Sequence, residues 1–277
     1  MLKEKLKDKI PHELLSLLPS TYQIIGHVLI FQVKKELRPY AKLIADTFLE
    51  LFPYVRTVCL REGPIWSRER KPRIIFLSGA PEFETIHKEH KCIFKLDVRK
   101  IMFSKGNLYE RIRIAKLVRE GEVIVDMFAG IGYFSIPIAV HSNPKIIYAI
   151  DINPLAINYL KENIKLNKVE GKIVPILGDC REVCKSLGRV ANRIIMGWIF
   201  DTYKYLPSAF EVVAPAGAVI HYHFLAKKEE LDRELERAKK IGETYGMKVN
   251  LIRKRKVKSY GKKIYHWVFD LRAAPEK

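Results

Sequence analysis

The sequence lacks the features of a secreted or membrane-embedded protein. Its four cysteines show no spacing that would predict a disulfide framework, so we expect reduced thiols and a cytoplasmic location. No apolar run is long enough to cross a membrane, and the first ten residues are charged instead of forming an apolar signal core. Two histidine pairs, His87 with His90 and His221 with His223, have no Cys or acid constellation beside them. We therefore expect no membrane partner and no metal.

Acidic residues are also scarce. There are 31 of them against 50 Lys and Arg, which gives a net charge of +19. An excess of that size favours a polyanionic partner, and nucleic acid is the first candidate. A membrane surface is the second, but the sequence has no basic amphipathic helix with bulky apolar anchors. The many Lys and Glu residues also fit a thermophile's surface, which explains the number of charges and not their sign.

The length of 277 residues and the apolar content of 48% allow one large domain or two of ordinary size. We predict that residues 1–94 form a small N-terminal α/β domain without a glycine crevice and that residues 95–277 form a larger cofactor-binding domain. The elements expected at the N-terminal side are a basic helix over residues 1–20, a β-rich run over 22–33, a helix over 37–51, and strands over 55–60, 73–77 and 95–103.

One stretch of the larger domain predicts a ligand-binding crevice. Val123 to Val125 form a short apolar run typical of a buried parallel strand, and Asp126 ends it. Gly130 and Gly132 follow in a turn where a side chain would keep a ligand away from the backbone, ahead of a helix N-terminus. The crevice of a doubly wound sheet is built in this way. The alternative is an ordinary strand, turn and helix that bind no ligand.

The order of the acid and the glycines indicates which ligand would fit. The spacing here is Asp-x-Phe-x-Gly-x-Gly, whereas the dinucleotide fingerprint is Gly-x-Gly-x-x-Gly and uses its third glycine to seat a helix near a pyrophosphate. A carboxylate ahead of the glycines suits a cofactor that carries an amino group and no phosphate. S-adenosylmethionine is such a cofactor.

Two later strands also end in acids. Asp151 lies about 20 residues past the glycines, where an acid typically takes the ribose hydroxyls. Asp179 follows the next strand and is placed to accept from the adenine amino group, while the N–H of Cys180 meets the ring. Each acid alone is equally well explained as a loop carboxylate or a helix cap. Three acids at three successive strand ends favour a single cofactor site.

A polar loop ahead of the glycine strand is flanked by Ser104 and Arg111. A hydroxyl and a guanidinium over the crevice are suited to hold the carboxylate of the cofactor, the guanidinium through two parallel hydrogen bonds. The alternatives are a helix cap for Ser104 and a surface charge for Arg111.

The first candidate nucleic-acid contact is the loop between residues 61 and 73. Arg68, Arg70 and Lys71 lie near Trp66. Basic residues with an interleaved aromatic suit a phosphate contact combined with base stacking. A solvated hairpin tip is the alternative.

The second candidate begins with Arg253, Lys254 and Arg255. The stretch from there to residue 263 has seven basic residues and no acid. Alternation along a strand puts Arg253 and Arg255 on one face. Edge strands use lysine to stay soluble, but an acid-free cluster favours phosphate contact.

Five stretches of the sequence resemble the family of the tRNA guanine-37 N1-methyltransferases and the related aminocarboxypropyltransferases of wybutosine synthesis. They are Phe103–Arg111, Val125–Phe134, Ala149–Pro154, Lys161–Asn167 and Gly178–Asp179. The resemblance implies a class I methyltransferase (Rossmann-like) fold, S-adenosylmethionine and a tRNA substrate, and it places cofactor contacts on Ser104, Arg111, Asp151, Asp179 and Cys180. With the crevice residues, the candidate cofactor-binding set also includes Asp126, Phe128, Gly130, Gly132 and Ile152.

One departure from the family pattern separates its branches. The methyltransferases carry an Asn-Leu-Pro-like segment after the fourth strand, beside the target base. Here that place is Gly197-Trp198-Ile199-Phe200, without the Asn or the Pro. This resembles the aminocarboxypropyl branch, which implies transfer of the 3-amino-3-carboxypropyl group to the demethylwyosine precursor at position 37 of phenylalanine tRNA, with release of 5′-methylthioadenosine.

Two other functions stay open at this point. One is a tRNA guanine-37 N1-methyltransferase of the same fold. The other is an RNA-binding module with a degenerate cofactor pocket, against which the intact glycines and strand-end acids argue. The sequence identifies no catalytic base, which leaves positioning of the reactants as the expected main source of the rate.

Overall fold

The computed structural model describes residues 1–63 and 72–276. These residues form two compact units, Met1–Lys105 and Gly106–Lys277. Within the described ranges, no helix combines the length and the apolar character needed to pass through a membrane.

The first unit is built on a four-stranded sheet in the order β1-β2-β3-β4, in which β2 and β3 are parallel and the other pairs antiparallel. A hairpin of β5 and β6 follows. The helices of this unit are α1 (Leu2–Leu6), α2 (Ala41–Leu51) and short 3-10 helices at His12–Leu17, Lys35–Tyr40 and Lys105–Asn107, the last of which runs into the second unit. The strands are β1 (Tyr22–Ile25), β2 (Val28–Phe31), β3 (Thr57–Arg61), β4 (Ile74–Gly79), β5 (Glu84–Glu89) and β6 (Cys92–Asp97).

Helix α2 supplies much of the core of the first unit. Its apolar face buries Ile44 and Phe48, and the Phe48 ring lies 5.2 Å from that of Phe31 on β2. The predicted helix over 37–51 is confirmed, with a 3-10 turn as its beginning. Gly26 makes the β1–β2 turn at φ +54°, and a Cβ there would lie 2.1 Å from the hydroxyl oxygen of Thr85.

Two sequence predictions in this unit are wrong. The helix predicted over residues 1–20 is two separate helices, since α1 ends at Leu6 and a 3-10 helix begins at His12. Pro11 disfavours the helical conformation at the residue before it, so one continuous helix cannot pass through this position. The strand predicted over 95–103 ends at Asp97. The carboxylate of Asp97 accepts the backbone N–H of Arg99 at 2.8 Å, a local turn that competes with extended backbone.

The second unit contains a seven-stranded sheet in the order β12-β13-β11-β10-β7-β8-β9. The five strands from β11 to β9 are parallel, and β13 and β12 join antiparallel at one side. The strands are β7 (Val123–Asp126), β8 (Ile146–Asp151), β9 (Ile173–Leu177), β10 (Arg193–Met196), β11 (Ala218–Ala226), β12 (Met247–Gly261) and β13 (Ile264–Pro275). The helices are α3 (Leu108–Leu117), α4 (Ser135–His141), α5 (Pro154–Leu166), α6 (Cys180–Leu187), α7 (Leu206–Glu211) and α8 (Leu231–Thr244), with 3-10 turns at Thr202–Tyr205 and Lys228–Glu230.

This order confirms the predicted doubly wound sheet. From β7 the chain adds β8 and β9 on one side and then β10 and β11 on the other, so the strand order reverses between β7 and β10.

Local sequence determines where the helices after two of these strands begin. Asn153 and Asp179 cap α5 and α6, and each side chain accepts the backbone N–H two residues further on.

A buried polar network joins α3 to the sheet of the second unit. Arg113 donates two hydrogen bonds to Asp270 on β13, at 2.6 and 2.9 Å. Asp270 accepts from Nδ1 of His221 at 2.6 Å, and Nε2 of His221 accepts from Arg193 at 2.8 Å. Because a guanidinium only donates, His221 is neutral here. Burial would raise the pKa of Asp270, but the hydrogen bonds from His221 and Arg113 bring that pKa well below its usual value.

Candidate functional site

The crevice lies at the carboxyl ends of β7 and β10, where the strand order reverses and where open α/β sheets bind ligands. Asp126 ends β7, Asp151 ends β8, and Asp179 follows β9. Since β7, β8 and β9 are parallel neighbours, the structure brings all three predicted acids to one edge of the sheet.

The glycine turn owes its residue types to backbone conformation. Gly130 has φ +56° and Gly132 has φ +98°, a region that residues with a Cβ rarely adopt. A Cβ on Gly130 would lie 2.5 Å from the Tyr133 ring, and one on Gly132 would lie 2.6 Å from the Ile136 side chain. Larger residues at either position would therefore distort the turn that shapes the crevice.

Asp151 connects the end of β8 to this turn. Its Oδ2 accepts the N–H of Gly130 at 2.7 Å, and its Oδ1 accepts the N–H of Asn153 at 2.8 Å. Burial raises the pKa of Asp151, and the N–H groups of Asn153 and Gly130 offset part of that rise. The two backbone bonds fix the orientation of the carboxylate at the crevice, and its predicted contact with ribose hydroxyls remains a proposal.

Two apolar side chains are exposed beside Asp151. Ile152, a predicted contact, is 64% exposed, and Leu177, the register partner of Asp151 on β9, is 56% exposed. Side chains of this size at adjacent strand ends suit the apolar faces of a ring such as adenine. Leu177 was missed from the sequence, where its position just before the Gly178–Asp179 stretch was the available signal.

Asp126 is fully buried and holds the turn against α4. One of its carboxylate oxygens accepts from the Ser135 hydroxyl at 2.7 Å, and the other from the N–H of Phe128 at 3.4 Å. Burial raises the pKa of Asp126 to about 7, and the Ser135 hydrogen bond opposes this shift. These contacts give the carboxyl a structural role, and its predicted contact with the cofactor remains a proposal.

Asp179 and Cys180 begin α6. The Asp179 carboxylate caps the helix and also accepts from the Arg181 guanidinium at 3.0 Å, so the cap interpretation is confirmed and the adenine contact remains a proposal. Cys180 is 5% exposed, and burial raises the pKa of its thiol well above the usual value. The thiol is therefore not a candidate nucleophile, which leaves the backbone N–H as the group that Cys180 can offer to a ligand.

Arg111 lies inside the second unit beside the glycine turn. It is 2% exposed, and its guanidinium carbon lies 5.1 Å from the centre of the Tyr133 ring. The alternative of a surface charge is therefore wrong, and a buried guanidinium next to the crevice fits the carboxylate of an amino-acid group. Ser104 belongs to the first unit and is half-buried, and its contact with the cofactor stays a prediction.

Aromatic rings surround Phe128 in the glycine turn. The Trp198 ring stacks with it at 6.2 Å, and the Tyr205 ring meets its edge at 5.0 Å. The Arg181 guanidinium lies 5.7 Å from the centre of the Tyr205 ring. Trp198 belongs to the segment Gly197–Phe200 that departs from the methyltransferase pattern, and Tyr205 lies five residues beyond it. Sequence spacing singled out the segment but gave no signal for these ring contacts.

The predicted basic residues of β12 fall into two environments. Arg253 and Lys254 are exposed. Arg255 is half-buried, with its Nε 3.2 Å from a carboxylate oxygen of Glu110 and its guanidinium 3.7 Å from the centre of the Tyr109 ring. Phosphate contact by Arg255 remains a proposal, and it would compete with this ion pair.

The other basic cluster, Arg68, Arg70 and Lys71 with Trp66, lies outside the described residues. In the part of the chain that the structure describes, no three His, Cys, Asp or Glu side chains come together in a group that could hold a metal ion.

Comparison with known proteins places these features in a family context. The model of the TRM5/TYW2 methyltransferase domain matches residues 85–251, and that of the TYW2 N-terminal domain matches residues 2–82. A Methanocaldococcus jannaschii relative, named tRNA(Phe) (4-demethylwyosine(37)-C(7)) aminocarboxypropyltransferase, is 47% identical and spans 90% of this chain and 96% of its own. A Pyrococcus abyssi relative, named tRNA (guanine(37)-N(1))-methyltransferase Trm5b, is 37% identical over 96% of this chain and 78% of its own.

A solved structure extends the similarity to three dimensions. The crystal structure of Pyrococcus horikoshii TYW2 in complex with MeSAdo, that is methylthioadenosine, has a TM-score of 0.86 at 36% identity. The match covers 99% of this chain and 98% of that one.

Proposed function

Because this chain belongs to the TRM5/TYW2 methyltransferase family, we propose that it transfers the 3-amino-3-carboxypropyl group of S-adenosylmethionine to the demethylwyosine precursor at position 37 of phenylalanine tRNA. The by-product is 5′-methylthioadenosine. The observation that carries the proposal is the segment Gly197–Phe200, which lacks the Asn and Pro of the methyltransferases and places Trp198 against Phe128 in the glycine turn. The aminocarboxypropyltransferase relative, at 47% identity, supports the same branch.

The residues of the crevice fit the three parts of S-adenosylmethionine. Arg111, a buried cation beside the turn, suits the carboxylate of the amino-acid arm. Asp151 suits the ribose hydroxyls, and Ile152 with Leu177 offers apolar surface to the adenine. Within the proposal, Asp179 accepts a hydrogen bond from the adenine amino group. The proposed cofactor-binding set also includes Ser104, Asp126, Phe128, Gly130, Gly132 and Cys180.

Bound S-adenosylmethionine supplies a sulfonium that activates three different carbons. The protein determines which of the three carbons reacts, because only the carbon that it holds in line with the nucleophile of the acceptor is transferred. For aminocarboxypropyl transfer the amino-acid arm must face the tRNA base, so the crevice has to hold that arm in an orientation that a methyltransferase does not need. We assign no catalytic base, and positioning accounts for the proposed step.

The proposed partner is tRNA in its anticodon region. The net charge of +19 and the exposed Arg253 and Lys254 support a polyanion contact. Within this proposal residues 1–94, including Arg68, Arg70 and Lys71, contribute tRNA contacts, residues 95–277 bind the cofactor, and the protein works in the cytoplasm where tRNA is modified. The match of residues 2–82 to the TYW2 N-terminal domain supports a role for this region in the same reaction.

The second candidate is N1-methylation of guanosine 37, which the 37% identical methyltransferase relative favours. Isotopic label separates the two functions. With tRNA that carries the tricyclic precursor, we expect label from the carboxyl carbon of S-adenosylmethionine in the RNA and an equal amount of methylthioadenosine in solution. Methyl label in unmodified tRNA, with stoichiometric S-adenosylhomocysteine, would establish the methyltransferase instead.

A further inference from the structure

Two exposed aromatic side chains touch each other near the crevice. Phe200 is 39% exposed and Tyr260 is 46% exposed, and their ring centres lie 5.8 Å apart with the planes at 79°. Phe200 follows β10 and Tyr260 is near the end of β12, so two elements far apart in the chain contribute one ring each. Single exposed aromatics are ordinary on protein surfaces, but a contacting pair that core packing does not bury needs another explanation.

The pair is the outer end of a row of rings that starts in the crevice. Phe128 of the glycine turn stacks with Trp198 at 6.2 Å. Trp198 meets Phe200 at 5.6 Å, and Phe200 meets Tyr260. Each ring therefore rests on the next, so the two outer rings are supported and point outward from a fixed base. A rigid aromatic surface of this kind binds a flat partner with little loss of side-chain entropy.

Sheet topology puts the outer pair at the same edge as the proposed cofactor site. β12 begins at the edge where the parallel strands start, because Val249 pairs with Ala273 of β13 and Ala273 pairs with Ala218 at the beginning of β11. β12 therefore ends at the opposite edge, the carboxyl edge, and its residue Tyr260 precedes the turn to β13 there. The glycine turn and Asp151 lie on that same edge.

Positive charge surrounds Tyr260. The stretch 253–263 has seven basic residues and no acid, and Lys254, Lys256, Lys262 and Lys263 of this hairpin are exposed. Protein–protein interfaces are depleted in lysine, whereas single-stranded nucleic acid is bound by cationic grooves that carry aromatic rings for its bases. The combination at this edge therefore favours unpaired RNA over a protein partner.

We propose that Phe200 and Tyr260 form a stacking platform for an unpaired anticodon-loop base next to the nucleoside that is modified. The proposal rests on the proposed function, since it takes the substrate to be the anticodon loop. In this arrangement one base stacks on the exposed rings while the lysines of the hairpin contact the neighbouring phosphates, and the row of rings keeps the adjacent nucleoside at the crevice.

The test is RNA binding, which needs no turnover. An anticodon stem-loop of phenylalanine tRNA with 2-aminopurine in the loop position next to 37 reports stacking as a loss of fluorescence. Tyr260→Ala should weaken binding about tenfold and restore part of the fluorescence, because a base stacked on an aromatic ring contributes roughly 1–3 kcal/mol. The slope of affinity against salt should not change, since every basic side chain that meets a phosphate is still present.

Matched variants separate stacking from other effects. Tyr260→Phe keeps the ring and should bind RNA like the parent. Tyr245→Ala removes a tyrosine of similar exposure, 38%, whose position just before β12 places it at the other edge of the sheet, and it should also bind like the parent. Phe200→Ala should repeat the effect of Tyr260→Ala. Thermal melting of each variant identifies any that has lost its fold. Tyr260 lies on an exposed strand end, so its replacement should disturb the fold least.

Equal RNA affinity and equal fluorescence quenching in the parent, Tyr260→Ala and Phe200→Ala would overturn the platform. This outcome is distinct from failure of the proposed function. The by-product and label assay decides which group is transferred, whereas the platform is decided by RNA binding alone, with S-adenosylmethionine affinity unchanged in Tyr260→Ala.

Discussion

The backbone N–H of Gly130 donates a 2.7 Å hydrogen bond to the carboxylate of Asp151, which joins the glycine turn after β7 to the end of β8. The carboxylate that is proposed to bind ribose is thus also the group that holds the turn. Binding and local structure are therefore linked at this residue.

Replacing Asp151 should weaken the cofactor site. Asp151→Ala removes the acceptor of two backbone N–H groups and of the ribose hydroxyls. We therefore expect S-adenosylmethionine affinity to fall by about five- to 150-fold, which corresponds to a loss of roughly 1–3 kcal/mol in binding free energy. Asp151→Asn keeps one acceptor oxygen and should lose less. Isothermal calorimetry measures both, and parental affinity in a folded Asp151→Ala protein would rule out the ribose assignment.

Arg111 should discriminate between the cofactor and its by-product. Methylthioadenosine has no amino-acid arm, so Arg111→Lys, which loses the two-pronged donor, should weaken S-adenosylmethionine binding by about tenfold or more and leave methylthioadenosine binding nearly unchanged. Competition binding with the two ligands supplies the ratio. An equal loss for both would show that Arg111 supports the fold of the crevice and does not contact the carboxylate.

The basic residues of β12 should differ in their effect on RNA binding. Arg253→Ala and Lys254→Ala should each reduce the slope of log affinity against log salt by about 0.7–0.9. Arg255→Ala should mainly lower the melting temperature, because Arg255 is the second cation, after Arg113, that pairs with the buried Glu110. A salt series with phenylalanine tRNA tests the set, and a reduced slope for Arg255→Ala with an unchanged melting temperature would assign Arg255 to phosphate contact.

A separate salt series tests whether the cluster of Arg68, Arg70 and Lys71 contacts the tRNA. Replacing all three by Ala should flatten the salt dependence of tRNA binding, by roughly one unit of the log–log slope for each phosphate that a replaced side chain neutralised. Cofactor affinity should stay unchanged. If both the slope and the tRNA affinity match the parent, this loop does not touch the tRNA.

The buried histidines should make the protein sensitive to acid. Burial lowers the pKa of His221 and brings that of His223 well below its usual value, so both are neutral in the fold. Below the unfolded pKa of about 6.5 the unfolded chain binds more protons, and stability falls as the pH decreases. Urea unfolding between pH 7 and pH 5 should therefore show a loss of stability, at most about 1.4 kcal/mol per pH unit for each histidine. His223→Asn should reduce that loss of stability. The same dependence of stability on pH in the parent and in the variant would show that His223 is not held neutral in the fold.

Asp126 should have the opposite dependence on pH. Its pKa is raised to about 7, so the protonated form stabilises the fold and this contribution disappears as the pH rises from about 4 to 7. Asp126→Asn has no such titration and still offers an oxygen to the Ser135 hydroxyl. We expect its stability relative to the parent to increase with pH over that range, and a constant difference would show that Asp126 is ionised throughout.

The sequence by itself determined the doubly wound sheet, the glycine turn and the edge on which the three acids meet. These follow from local patterns, since apolar runs mark buried strands, glycines mark turns at positive φ, and parallel strands bring their carboxyl ends together. It did not reveal the β5–β6 hairpin, whose turn residues His90 and Lys91 both have positive φ without the usual glycine or asparagine.

Tertiary structure alone decided what the charged and aromatic side chains do. Arg111 is buried against Tyr133, Arg255 pairs with Glu110, and Phe200 meets Tyr260, although the last two pairs join residues far apart in the chain. Exposure and pairing of such side chains depend on which distant elements the fold places beside them, and neither periodicity nor spacing carries that information. The sequence therefore located the crevice, and only the packed chain showed which groups line it and which are already engaged.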